Sequence, residues 1–196
     1  MSTLELKELS HPSGEVIKIA AGKTLDLKTQ GSVTMPTGSV INVYTVEKTD
    51  TQTTSAFTMV DISGLSITLT PSSATSKFLI TLTIRASSNF YKSYINLLRD
   101  STPLFNNADG AGDGRTRFTS TVVTNSADSN SDGIMHNHNL TILDAPTTTS
   151  AITYKCQFSG RNSAYVMHIN KSNPDRAQTE YDSRTVSNMV IQEIQG

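Results

Sequence analysis

The sequence predicts an all-β protein, with a jelly-roll-like β-sandwich over residues 37–196, a short N-terminal β arm over residues 1–36, and assembly as a homotrimer. Apolar and polar residues alternate in many short segments, which is the pattern of half-buried strands. Thr, which favours strands, and Ser, Asn, Asp and Gly, which favour turns, are abundant throughout. No helical periodicity is sustained along the sequence.

The arm contains two short apolar segments, residues 16–19 and 25–27, on either side of a predicted turn at residues 21–23. Gly31, Pro36 and Gly38 then mark a loop before the main domain. The apolar side chains of the arm are too few to offset the conformational entropy lost when it becomes ordered. We therefore expect the arm to fold only against a partner, either copies of itself or another protein. The side chains expected to anchor it are Ile17, Ile19, Leu25 and Leu27.

The main domain is predicted to consist of short strands separated by turns. Alternation is clearest in residues 78–84, where Phe78, Ile80 and Leu82 share one face. Turn residues such as Asp132-Gly133 separate the segments. This pattern is typical of sandwiches, jelly rolls and barrels. The predicted strands are 40–46, 56–62, 65–70, 77–86, 91–99, 117–123, 138–143, 151–158, 165–169 and 187–194.

Composition excludes several classes of partner. The formal net charge is −1, so no charge excess indicates nucleic acid or a membrane surface. Cys156 is the single cysteine, which excludes an intrachain disulfide and predicts a small packed residue. We find neither a signal-peptide pattern nor a run of about 18 apolar residues, so we expect no membrane insertion. We expect the protein to be made and kept in a reducing cytoplasm until it is released.

Several strand-and-turn segments resemble a known family. In the first half they are MPTGSVI at 35–41, FTMVDISGL at 57–65 and LTPSS at 69–73. In the second half they are ILDAP at 142–146, continuing to YK at 154–155, then HINKS at 168–172 and VIQEI at 190–194. Together they resemble tail-fibre and virion structural proteins of marine tailed phages, cyanophages especially. The resemblance covers residues 31–196, and the arm resembles the short β repeats that intertwine along phage fibre shafts.

This resemblance implies a virion protein, assembled in the host cytoplasm, that works as a homotrimer. The leading hypothesis is a short tail fibre or similar appendage for host attachment, bound to other virion proteins through its arm. The second is a capsid decoration or head-fibre protein at a local three-fold position. A third, from another class, is a soluble carbohydrate-binding module, which would not need the arm.

His136 and His138 form the sharpest local signal for a ligand. Residues two apart on a strand project from one face, so both imidazoles can converge on one transition metal. In a trimer with this strand near the axis, three copies supply six nitrogens, which suits octahedral coordination. Some phage fibre tips resemble this arrangement. The alternative is a polar loop that leads into Leu140, Thr141 and Ile142, and no other cofactor is expected.

Two further loops resemble ligand sites but lack required parts. Residues 128–133 match the opening of a calcium loop, yet Asn139 stands where a bidentate Glu is needed. The Gly-rich run at 109–114 precedes Arg115 rather than a helix, so it is not a phosphate loop. No Gly-x-Ser-x-Gly elbow is present, and no His lies near Cys156 in the sequence. We therefore expect no enzymatic activity and no catalytic residues.

Aromatic side chains near polar loop residues suggest contact with a host cell-surface glycan. Tyr91 and Tyr94 follow Asn89, and Tyr181 precedes Asp182. Aromatic rings beside amide and carboxylate groups suit saccharide stacking. The alternative is that these rings pack in the core or between subunits.

Overall fold

The computed structural model describes residues 21–23, 35–88, 92–104, 118–123, 134–160, 166–180 and 182–196. The chain divides into two units, Met1–Met35 and Pro36–Gly196. In the first unit, residues 21 and 22 form a turn in which Gly22 has a φ of 74°. The predicted anchoring residues Ile17, Ile19, Leu25 and Leu27 lie outside the described residues. The second unit carries every strand considered below.

The described residues of the second unit contain strands and no helix. The strands are β1 (Val40–Lys48), β2 (Gln52–Thr54), β3 (Val60–Leu69), β4 (Lys77–Ser88), β5 (Lys92–Arg99), β6 (Thr102–Pro103), β7 (Ser120–Val123), β8 (His136–Asp144), β9 (Ile152–Ser159), β10 (Met167–Ile169) and β11 (Ser187–Ile194). They form two antiparallel sheets. The first sheet has the order β1-β11-β4-β10-β2, with β8 on the other edge of β4. The second has the order β3-β9-β5-β6, and β7 also pairs with β5. The predicted all-β sandwich is therefore confirmed.

The hydrophobic core consists of the alternate side chains that each sheet turns toward the other. On β4 these include Phe78, Ile80 and Leu82, all of which have no solvent exposure, as their alternation predicts. On β9 the buried set includes Tyr154, whose ring centroid lies 5.9 Å from that of Phe78. Cys156 is buried in the same row, and burial raises the pKa of its thiol, as expected for a packed residue.

The third strand differs from its prediction. Segments 56–62 and 65–70 were expected to be separate strands, but residues 60–69 form the single strand β3. The register with β9 shifts between Asp61 and Ser66, and Gly64 within this bulge has a φ of 75°. Gly is suited to the left-handed region, so the strand bends there without ending. Phe57 precedes β3 and is 76% exposed.

Candidate interaction surfaces

The two histidines of β8 lie on its inward side. His138 pairs with Ile84 and His136 with Ala86, and both of these partners are fully buried. His138 is only 1% exposed, and its Nδ1 lies 2.8 Å from Ser120 Oγ on β7. A metal bound to both histidines would therefore lie inside one domain rather than on an axis between subunits.

The pKa values of both histidines lie below the ordinary value, so both imidazoles are neutral at pH 7. Burial, and then the nearby His136, lower the pKa of His138 to about 4. Burial also lowers the pKa of His136. His136 Nε2 has no hydrogen-bond partner, and no group of three His, Cys, Asp or Glu side chains gathers among the described residues. Metal binding by His136 and His138 stays a prediction.

An aromatic pair occupies the outward side of the second sheet. Tyr94 pairs with Ser159 of β9 and Thr121 of β7. Its ring stacks on that of Phe118, with a centroid distance of 4.3 Å and an angle of 29° between the ring planes. Both rings are half-buried. Tyr91 and Tyr181 lie outside the described residues, so saccharide contact by this set stays a prediction. The sequence did not indicate Phe118 as a candidate site residue, because only the register between β5 and β7 brings its segment beside Tyr94.

Leu98 of β5 shares the outward row of Lys155 and is only 4% exposed, whereas the groups of β3 and β9 on this side are polar and satisfy one another. Lys155 Nζ lies 2.8 Å from Asp61 Oδ2, and Gln157 Nε2 donates to Asp61 Oδ1 at 2.7 Å. These hydrogen bonds, first that of Lys155 and then that of Gln157, lower the pKa of Asp61. Thr68 and Thr153 join their hydroxyls at 2.8 Å. Such a face is stable in water without a partner.

The outward side of the first sheet is different. One row across the strands runs from Val43 through Gln192 and Leu79 to Leu143, and the next row joins Val40 to Ile194. Val40, Val43 and Leu143 are 47%, 57% and 51% exposed. The sequence signal was present, since apolar residues stand next to one another at 78–80, 142–143 and 190–191. We call this set the apolar patch: Val40, Val43, Leu79, Leu143, Val190 and Ile194.

A buried carboxylate closes one end of the sandwich. Glu193 has no solvent exposure, and it accepts hydrogen bonds from Asn42 Nδ2 at 2.8 Å and from the backbone N–H of Ser72 at 2.6 Å. The Ser72 hydroxyl donates to it at 3.2 Å. Burial raises the pKa of Glu193, but these donors, with that of Ser76, outweigh it and hold the pKa below its ordinary value. Glu193 thus anchors the connection between β3 and β4.

A buried amide connects β1 to the last strands of the domain. Asn170, fully buried with a φ of 62°, donates from Nδ2 to the backbone carbonyls of Lys48 at 2.7 Å and Asp50 at 3.0 Å. Its Oδ1 accepts from the Ser187 hydroxyl at 2.6 Å. Every polar atom of this amide is used by the fold, so Asn170 is a structural residue.

Among the described residues, no helix is long and apolar enough to cross a membrane. No protein-family model matches the chain, and no curated protein is significantly similar to it.

Proposed function

We propose that this chain is a non-enzymatic structural protein of a tailed-phage virion and that its sandwich is a jelly roll. The observation that carries the proposal is the strand order. β10 and β11 both pair with one side of β4, and β6 and β7 both pair with one side of β5. β1 and β2 pair with β11 and β10, so they lie in line with each other. The eleven described strands therefore occupy eight positions, four in each sheet. Eight strands in two such sheets are the architecture of jelly rolls, which are common in viral capsid proteins.

The path of the chain supports the same proposal. From β2 the chain crosses to β3 in the second sheet, returns to β4, and crosses again to β5. After β7 it returns to β8, crosses to β9, and ends in β10 and β11. Repeated crossing between two antiparallel sheets, rather than hairpins within one, is expected of a jelly roll.

In this proposal the protein is a homotrimeric short tail fibre or appendage involved in host attachment. Residues 1–36 attach it to other virion proteins, and the sandwich faces outward. Two observations support an attachment role, namely the resemblance of residues 31–196 to phage fibre proteins and the apolar patch, which a monomer would leave in water.

The experiment is to find the protein in particles. An antibody raised against the purified chain should detect it in density-purified virions of the phage that encodes it, and immunogold electron microscopy should label the tail. Labelling of the head would favour the capsid-decoration alternative instead. Absence of the protein from purified virions would contradict both.

A second candidate function, carbohydrate binding, is favoured by the stack of Tyr94 on Phe118. A half-buried aromatic pair next to polar strand residues can support a sugar ring. Titration of the protein with host-surface oligosaccharides, monitored by tyrosine fluorescence, should give saturable binding that Tyr94→Ala removes. Equal binding by the variant would contradict this candidate.

A further inference from the structure

We propose that the apolar patch of the first sheet is the surface through which copies of this chain pack against one another around a three-fold axis. The inference rests on the proposed homotrimer and names its interface. The occupants of the patch are the same faces of the two neighbouring copies, which meet it along its opposite edges.

The described residues cover only one end of the outward side of the first sheet. At the β10 end, the Ser87 hydroxyl donates to the backbone carbonyl of Lys171 at 2.7 Å, and His168 Nε2 lies 3.2 Å from Asn173 Oδ1. Both Ser87 and His168 are buried as a result. Toward the other end, where β1, β11, β4 and β8 lie side by side, Val43 and Leu143 are more than half exposed at 57% and 51%. Within the described part of the chain, that end has no cover.

The distribution of apolar and charged residues at this end of the first sheet is that of a specific protein–protein interface. Its centre consists of the apolar patch with Gln192 and threonines such as Thr81, and it contains no charged residue. Its charged side chains, Glu47, Lys77 and Arg85, lie around the apolar centre. Depletion of charge at the centre and a polar rim are typical of specific interfaces. The second sheet presents the opposite arrangement, with the Asp61–Lys155 ion pair on its outward side.

The size of this surface sets how much of the contact between copies it can supply. Four strands at a spacing of about 4.8 Å are about 19 Å wide, and the stretch from Lys77 to Arg85 is about 27 Å long at about 3.4 Å per residue. Each copy therefore offers about 500 Å² in projection. Each copy shares this area between two neighbours, so a closed trimer removes about 1,500 Å² from water in total and each pair of copies about 500 Å², which by itself is the size of a weak contact. Closure of the three-fold ring combines three such contacts.

The positions of the charges favour a second copy as the occupant. Glu47 lies on β1 at one edge of the face, at the height of Thr83 on β4. Arg85 is two residues further along β4, one strand in from the other edge, and its Nη1 donates to Asn137 Oδ1 on the edge strand β8. A three-fold axis parallel to the strands brings opposite edges of neighbouring copies together at equal heights. Glu47 of one copy then lies within about 7 Å, measured along the strands, of the level of Arg85 in the next. Closed rotation thus places charges of opposite sign near each other at the rim.

The test compares two double variants of the full chain by sedimentation equilibrium at micromolar concentration. Val43→Glu with Leu143→Glu places two carboxylates in the patch, and Ser66→Glu with Thr121→Glu places the same two charges on exposed positions of the second sheet. Circular dichroism and urea unfolding establish that both variants remain folded. We expect the wild type and the second-sheet variant to sediment as trimers. We expect the patch variant to lose more than about a hundredfold in association constant, because its carboxylates would be buried without partners.

Each of the other outcomes contradicts a stated part of the inference. If the patch variant remains trimeric, the interface lies elsewhere and only the homotrimer stands. If the wild type is a monomer, the homotrimer and its interface both fall. If both variants dissociate, added charge rather than its position is responsible, and the assignment to the patch is overturned.

A photo-crosslinking residue at position 43, Val43→benzoylphenylalanine, separates a second copy from the arm as occupant. The expected product has at least twice the mass of the chain, with the crosslink on the first sheet of another copy. A crosslink within one chain to residues 1–34 would identify the arm as the occupant and overturn the inference.

Discussion

The phenol of Tyr154 donates a 2.7 Å hydrogen bond to Asp144, which ties β9 of the second sheet to β8 of the first. Arg99 Nη1 on β5 contacts both carboxylate oxygens of Asp144, at 2.9 and 2.8 Å. Burial, and then Asp144, raise the pKa of Tyr154, so its phenol remains a donor throughout the neutral range. The two sheets are thus joined by a polar link as well as by the apolar core.

Tyr154→Phe should lower the free energy of unfolding by about 1–2 kcal/mol, because it removes a donor to a charged acceptor while retaining the ring in the core. Urea unfolding monitored by circular dichroism measures the change. Tyr94→Phe is the matched control, since it removes a phenol hydroxyl from the outward side, and should change stability by less than about 0.5 kcal/mol. Equal stability of wild type and Tyr154→Phe would show that Arg99 alone satisfies Asp144.

Stability should fall on acidification because of His138. Its pKa is about 4 in the folded protein, below the ordinary value of 6.5, so between these values the unfolded state binds a proton that the folded state does not. The free energy of unfolding should therefore decline as the pH falls below about 6.5, by about 1.4 kcal/mol per pH unit. The decline attributable to His138 should end near pH 4, after about 3 kcal/mol in total.

The measurement is a series of urea melts from pH 8 to pH 4 on the wild type and His138→Asn. The amide of Asn can still meet the Ser120 hydroxyl but does not titrate. The wild-type curve should therefore fall more steeply than that of the variant in this window. Parallel curves would show that His138 is not responsible for the pH dependence.

Glu193→Gln should destabilise the domain at pH 7 by about 1.5–3 kcal/mol, because the new NH₂ group cannot accept the hydrogen bonds that the buried carboxylate accepts. The pKa of Glu193 is held below its ordinary value, so its contribution is present above that value and is lost as the pH falls. The difference between wild type and variant should therefore shrink in acid. Glu180→Gln makes the same change at an exposed residue and should have little effect. A difference that grew in acid would contradict this account of Glu193.

The bulge of β3 provides a backbone test. Gly64 has a φ of 75°, and a Cβ added there would meet no atom within 4 Å, so the penalty for Ala comes from the backbone conformation alone. Gly64→Ala should cost about 1 kcal/mol in stability. Gly64→Asn should cost less, because Asn tolerates the left-handed region better. An Ala variant as stable as wild type would show that the bulge relaxes.

Alternation in the sequence was sufficient to predict the long strands and their inward sides. Phe78, Ile80 and Leu82 share the buried side of β4, as their spacing requires. Strands β2 and β6 escaped prediction because Gln52–Thr54 and Thr102–Pro103 are too short to show a period. The β3 bulge was missed because a single Gly signals a bend and a strand end equally well.

The surfaces could not be predicted, because they depend on register between distant segments. Leu79 and Leu143 are 64 positions apart in the sequence, and only the pairing of β4 with β8 makes them neighbours. The inward orientation of the His138 side chain likewise depends on how distant segments pair. The sequence placed His136 and His138 on one face, but the direction of that face depends on which side of β8 meets β7 and the second sheet.

We expect the sandwich to fold without the arm and the arm to attach the protein to the virion. The hydrogen-bonded sheets begin at Val40, and residues 38 and 39 pair with Gln195 through backbone hydrogen bonds of 2.7 and 2.8 Å. A chain that starts at Gly38 therefore retains the paired strands and the core, and it should give a soluble domain with cooperative unfolding by circular dichroism. It should fail to enter virions when supplied in place of the full chain.

Substitution of Ile17, Ile19, Leu25 and Leu27 by Ser in the full chain should reproduce this failure, because these apolar side chains are the ones expected to anchor the arm against a partner. The melting temperature of the main domain should stay within a few degrees of the wild type, since its core is unchanged. Val186→Ser serves as the control, because it removes an exposed apolar side chain of similar size from the main domain, outside the apolar patch, and leaves the arm intact. Entry of the four-Ser variant into particles at normal copy number would show that the arm is not the anchor, and the contact with the virion would then have to lie on the outward faces of the sandwich.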